Sequence, residues 1–170
     1  MITNHFYCIP VCSTMDVKLL LLSKEIKESI AHHASETYPY ECVGVLLGTV
    51  DGNLRSVQEA RPLENSFVPE WEAELRPNGE AFGQERRYLI SPHTMLQLMR
   101  EERVGGAKMI GFYHSHPDHP ASPSETDRDW AAPWYLYMIQ SVQNGQPDKL
   151  TVWQLNDDGT AFDPVDLIVN

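Results

Sequence analysis

His114 and His116 stand two residues apart at the end of an apolar run, in the stretch Gly111-Phe-Tyr-His-Ser-His-Pro-Asp-His-Pro-Ala-Ser-Pro-Ser-Glu-Thr-Asp127. Side chains alternate faces along a strand, so both imidazoles emerge on one side and can share a metal ion. Asp127 completes the pattern H-x-H-x(7)-S-x-x-D. Two imidazoles and one carboxylate are three protein ligands, the set of a catalytic zinc whose fourth position holds water. Plainer readings stand beside this one. His-x-His at a strand end also arises by coincidence. Ser124-x-x-Asp127 is also a capping box, in which the serine satisfies an orphan amide and the acid reaches back. Pro117, Pro120 and Pro123 by themselves only stiffen the loop.

The elements that position these residues follow from periodicity. Val17–Leu22 reads as a short strand, and Ser23 caps a helix whose Ile26, Ile30, Ala31 and Ala34 recur at helical spacing until Tyr38-Pro39 stops it near Thr37. His32 and His33 on that helix are expected to face solvent rather than bind metal. Tyr40–Gly48 is a near-continuous apolar run, expected as a central strand buried on both faces. Glu41 at its mouth is the odd residue, because a buried carboxylate needs a partner or a raised pKa. Asp51-Gly52 signals a hairpin to Leu54–Ala60. Residues 61–85 have no clear period and read as a long loop whose Phe67, Trp71 and Phe82 anchor it or bind a partner. Arg86–Ile90 reads as a strand, and Ser91-Pro92 opens a helix with Met95, Leu96, Leu98 and Met99 as its buried stripe, ended by Gly105-Gly106. Lys108–Tyr113 is the strand that delivers the histidines, which makes strand, helix and strand a crossover unit with the site at the carboxyl end. Beyond a short helix after Ser124, Trp134–Val142 and Leu150–Leu155 are strands joined by the polar turn Gln143–Lys149. Asp157-Asp-Gly159 then turns the chain into Ala161–Val169, an edge strand because Pro164 cannot donate to a ladder.

At 170 residues one domain is expected, and an apolar share of 42% supplies an ordinary core. The net charge of -11 argues against a nucleic-acid backbone as partner. Cys8, Cys12 and Cys42 form no CxxC pair, so no disulfide framework or cysteine-rich zinc site is indicated, and a reducing cytoplasmic setting fits. No positive n-region precedes an apolar segment, and Leu19–Leu22 is too short to span a bilayer, so no membrane role is expected. Met15 resembles a second start, which suggests that residues 1–16 are a poorly ordered extension and residues 17–170 the domain.

Together, Glu41 in Glu-Cys-Val-Gly-Val-Leu-Leu-Gly, His114-Ser-His116-Pro117 and Ser124-x-x-Asp127 resemble the full signature of the JAMM (MPN-plus) zinc metalloproteases, closest to the small stand-alone bacterial members. The resemblance runs from about Lys18 to Val169. It implies an α/β (α+β) MPN domain of cytidine-deaminase-like architecture, with a central mixed sheet flanked by helices. It further implies one zinc per chain held by His114, His116 and Asp127 with a catalytic water, Glu41 as general base, and Ser124 as oxyanion donor. The implied substrate is the bond after the Gly-Gly tail of a ubiquitin-like protein, for a bacterial member a sulfur carrier that releases a C-terminal amino acid such as cysteine. Segments 61–85 and 141–149 would line the substrate groove. His119, between the ligands, reads as an exposed loop residue. A catalytically silent MPN scaffold is the alternative, although such members usually lack part of the ligand set. DNA-repair relatives favour Asn where this chain has Ser115. The H-x-E and P-C-x-x-C of nucleobase deaminases and the HExxH of zincins are absent.

Overall fold

Strand β4 (Lys108–Pro117) lies inside a mixed sheet and carries both histidines near its carboxyl end. The computed structural model describes residues 17, 19–68 and 83–170. In chain order these residues form β1 (Leu19–Leu22), α1 (Lys24–Thr37), β2 (Val43–Asp51), β3 (Leu54–Leu63), α2 (Pro92–Arg103), β4, α3 (Glu125–Trp130), β5 (Leu136–Gln143), β6 (Gln146–Leu155), β7 (Phe162–Pro164) and β8 (Asp166–Val169). Among the described residues the strands make one sheet in the order β7-β6-β5-β4-β2-β3-β1-β8, the central mixed sheet of an α+β domain. β4 is antiparallel to β2 and parallel to β5. Parallel neighbours need a crossover connection. Here that connection contains α3, so the same link that makes β5 parallel also brings Asp127 to β4.

β7 and β8 occupy opposite ends of the strand order, yet only Val165 separates them in the chain. The sheet therefore curls until its edges approach, and the Val165 amide donates to the Val152 carbonyl on β6 at 2.9 Å. Apolar side chains divide between two faces of this wall. Leu20, Leu22, Leu46, Ile110 and Met138 pack with Ile30 and Ala34 of α1. Val45, Leu47, Met109, Phe112 and Tyr137 pack with Leu98 of α2. A register shift opposite Leu46/Leu47 is a bulge that lets Met109 and Phe112 share the α2 face. From Phe112 the alternation continues through His114 and His116, which places both histidines on that face.

Several expectations are corrected. Arg86–Ile90 is irregular and joins no strand, so α2 belongs to no parallel crossover before β4. Of the expected α2 stripe only Leu98 is buried; Leu96 and Met99 are 53% and 49% exposed, because the sheet meets the helix along a narrower line than its apolar period offers. Residues 146–149 belong to β6, and the turn is only Asn144-Gly145, both at positive φ. Ala161–Val169 is two strands on opposite edges. His33 is half-buried, with Nδ1 3.0 Å from the Tyr113 hydroxyl and its pKa lowered by burial, whereas His32 is exposed as expected. The leader 1–16, Trp71 and Phe82 lie outside the described residues. Among the described residues no helix is long and apolar enough to cross a membrane.

Gly111 pairs with Leu46 on one side and Leu136 on the other, and a Cβ there would collide with the Leu136 carbonyl. Backbone on both sides leaves little room to yield. Gly111→Ala is expected to destabilise the fold by about 1–3 kcal/mol, the usual cost of overpacking, read as a lower urea midpoint. An unchanged midpoint would show that β4 and β5 part freely.

Candidate metal centre

His114 and His116 Nε2 lie 3.0 Å apart. Asp127 Oδ1 is 3.3 Å from His114 Nε2, and Asp127 Oδ2 is 3.6 Å from His116 Nε2. Two ligands of a tetrahedral zinc, each bonded at 2.0–2.1 Å, stand about 3.3 Å apart, so these separations fit one shared ion. All three side chains are buried, and one ligand atom from each falls within 4.8 Å of the others. The donor set of two imidazoles and a carboxylate suits a divalent metal of the zinc type.

Each ligand is oriented by the chain around it. His116 Nδ1–H donates to the Pro120 carbonyl at 2.8 Å, which leaves the Nε2 lone pair facing inward. His114 has no equivalent: its Nδ1 is buried without a hydrogen-bond partner. Its ring is held instead by Tyr88, whose centroid lies 4.6 Å away at 30°. Asp127 sits in the capping box at the start of α3, where Ser124 N–H and Oγ–H both donate to Oδ2 at 2.7 Å, and the Asp127 amide donates to Ser124 Oγ at 3.1 Å. Metal ligation and capping are therefore not rival accounts of Ser124-x-x-Asp127. Oδ2 takes the cap, and Oδ1 faces His114.

The loop after β4 is racked in place by its own carbonyls. His119 O accepts from Ser141 Oγ at 2.7 Å and Gln143 Nε2 at 3.3 Å, while Ala121 O accepts from Thr151 Oγ1 at 2.6 Å and Trp153 Nε1 at 3.3 Å. Pro120 O, between them, is thereby aimed at His116. Asp118 ties the loop to the hairpin, accepting from Tyr38 Oη–H at 2.9 Å and the Asn144 amide at 2.8 Å.

Glu41 enters from the other side. The Cys42 amide donates to Ser115 Oγ at 2.9 Å and the Ser115 amide to Cys42 O at 3.2 Å, which holds the start of β2 against β4 between the two histidines. Glu41 is 7% exposed and, with Ser124, His116, His119, Arg86 and Arg87, lines an open cleft of about 250 Å³. Burial pushes its carboxyl up to about 8, with Asp127 adding to the rise and His116, Arg87 and Arg86 opposing it. Burial takes His114 down to about 4. For His116 burial also acts downward, but the Asp127 hydrogen bond and the charges of Glu41 and Asp127 outweigh it, and its pKa ends above the usual value. Asp127 goes the other way: burial raises it, and His114, His116 and Ser124 together hold it well below the usual carboxylate range.

Of the five residues singled out in the sequence, Glu41, His116 and Ser124 line the cleft, His114 and Asp127 lie buried beside His116, and His119 borders the cleft as an exposed loop residue. Tyr88 was not anticipated. It lies in a segment of strand-like composition, and nothing local marks the ring as the backing of His114. Arg86 and Arg87 had equally little signal.

Comparison with known proteins identifies the family. Residues 23–156 match the family described as prokaryotic homologs of the JAB domain. A desampylase from Haloferax volcanii is 34% identical over 127 residues, covering 72% of this chain and 80% of that protein. A probable TtuB-protein conjugate cleaving protease from Thermus thermophilus is 25% identical over 128 residues, covering 74% of each. The solution structure of a protein from Desulfitobacterium hafniense superposes with a TM-score of 0.69 at 27% identity, over 89% of this chain and 92% of that one.

A bound cation must displace the proton from His116, whereas Asp127 stays ionised far below neutrality. Metal affinity is therefore expected to fall as pH drops below the raised His116 pKa, by about tenfold per unit for each proton displaced. Calorimetric titration of metal-free protein with zinc between pH 5 and 8 reads this directly, and a flat profile would contradict the assigned ligand.

Proposed function

Since the chain belongs to the prokaryotic homologues of the JAB domain, and so to the JAMM-type hydrolases, we propose that it is a zinc-dependent peptidase or isopeptidase. Its substrate is the bond joining the Gly-Gly tail of a ubiquitin-like protein to an amine. The observation that carries the reading is a group of three mutually close ligand atoms, one of them on His116, which shares an open cleft with the buried Glu41 carboxylate. The names of two relatives, a desampylase and a conjugate cleaving protease, support the removal of a protein modifier. The Gly-Gly tail and a sulfur carrier as the ubiquitin-like partner rest on the signature resemblance. A catalytically silent scaffold gains no support from a chain that retains His114, His116, Asp127, Glu41 and Ser124 together.

His114, His116 and Asp127 would hold the zinc. When bound, it lowers the pKa of a water toward neutrality and polarises the scissile carbonyl. Glu41 takes a proton from the attacking water and delivers it to the departing amine, so that amide and water become carboxylate and amine. Its raised pKa suits this exchange, because a base near the working pH both accepts and returns a proton. A cation across the cleft favours the ionised form and brings the value down from about 8. Ser124 is exposed at the cleft, and its hydroxyl serves the oxyanion by turning away from Asp127. Asp127 Oδ2 then keeps the Ser124 backbone N–H, so the carboxylate stays oriented when the hydroxyl leaves.

Glu41→Gln is expected to retain zinc and lose about 10²–10⁴-fold in kcat on a ubiquitin-fold protein extended beyond Gly-Gly. At saturating zinc, the acid limb of its pH–rate profile, where wild type loses activity as Glu41 protonates, is expected to vanish. Full activity in this variant would remove Glu41 from its role. Ser124→Ala is expected to lower kcat about 10²–10³-fold, measured on the same substrate at saturating zinc. A loss confined to zinc affinity would leave Ser124 only its cap.

A further inference from the structure

Glu41 lies just outside β2, where no strand ladder fixes it. Something else must, because a misplacement of about 1 Å can cost a hundredfold in rate. Asn65 occupies the irregular stretch that follows β3, and its side chain makes four hydrogen bonds. Nδ2 donates to the carbonyls of Glu41 at 3.1 Å and Arg87 at 3.0 Å, and Oδ1 accepts from the amides of Phe67 and Leu89, both at 3.1 Å. A carboxamide offers two donor hydrogens and an acceptor with two lone pairs, and Asn65 uses the whole set.

Neighbouring bonds close the unit. The Glu41 amide donates to Gln84 O at 2.7 Å, the Ser66 amide to Leu89 O at 2.9 Å, and Gln84 Nε2 to the carbonyls of Asn65 and Phe67 at 3.3 and 3.0 Å. Both backbone polar groups of Glu41 are thus satisfied by the stretch that Asn65 organises. The same stretch carries Tyr88, the ring against His114. Resting on the reading of Glu41 as general base, we infer that Asn65 is a positioning residue that sets where the Glu41 carboxylate stands. A glutamine at this position would be one methylene too long, and an aspartate would keep the two acceptor contacts while losing both donors.

The test compares Asn65→Ala and Asn65→Asp with wild type. Both variants are expected to lose about a hundredfold in kcat, with KM, zinc affinity and melting temperature close to wild type. In metal-free protein, amide exchange separates the two halves of the brace. The Glu41 amide should exchange faster in both variants, and the Leu89 amide faster in Asn65→Ala alone. Wild-type kcat in the variants, or a parallel fall of kcat, zinc affinity and melting temperature, would overturn the inference. If zinc-loaded wild type cleaves no Gly-Gly-extended substrate, the proposed function fails. Amide exchange still decides the brace in that case, and unchanged protection of Glu41 in both variants would overturn it.

Discussion

Two imidazole nitrogens 3.0 Å apart, with a carboxylate about as close to each, cannot all be satisfied by protons in a buried site. His116 spends its Nδ1–H on Pro120, so its Nε2 presents a lone pair once the proton there has been displaced. One proton can bridge one pair of these atoms and leaves the third unmatched. A divalent cation accepts all three inward lone pairs at once. The two histidines are displaced in opposite directions: burial pushes His114 down, while the Asp127 hydrogen bond and the charges of Glu41 and Asp127 hold His116 up against its own burial.

The rest of the fold keeps this constraint in force. Alternation along β4 fixes the histidines, the crossover to β5 returns Asp127, and the Cys42–Ser115 hydrogen bonds bring Glu41 alongside. Loop 118–121 is held by side chains from β5 and β6, so these strands position His116 through Pro120. Stability and chemistry share these bonds. The capping box that starts α3 is also the support that orients Asp127.

What the sequence made legible was local. The apolar run of β2, the Ser-Pro start of α2 and the two-residue spacing of His114 and His116 each carry their own periodicity, and each element forms with shifted bounds for the strands: β2 runs from Val43 to Asp51 rather than from Tyr40 to Gly48, and β4 continues to Pro117. Features set by distant partners were hidden. Arg86–Ile90 has the composition of a strand, but its backbone bonds to Asn65 and Ser66 rather than to a ladder. Leu96 and Met99 fit the helical period, and only the line of contact with the sheet decides that they stay outside. The His33 ring finds its partner outside its own helix, in Tyr113 of β4. Glu41 could be noticed as an acid at the mouth of an apolar strand, yet its place opposite the histidines depends on β2 pairing with β4, which periodicity does not encode. The family signature supplied that link where spacing could not.

The central claim is that one cation, held by His114, His116 and Asp127, is what makes the cleft hydrolytic. Stepwise addition of zinc to metal-free protein, with the initial rate of cleavage of a Gly-Gly-extended ubiquitin-fold substrate followed at each step, tests it most directly. The account predicts a rate that climbs in proportion to zinc and levels off at one equivalent per chain. Undiminished cleavage by the chelator-stripped protein, or a rate indifferent to zinc, would contradict it.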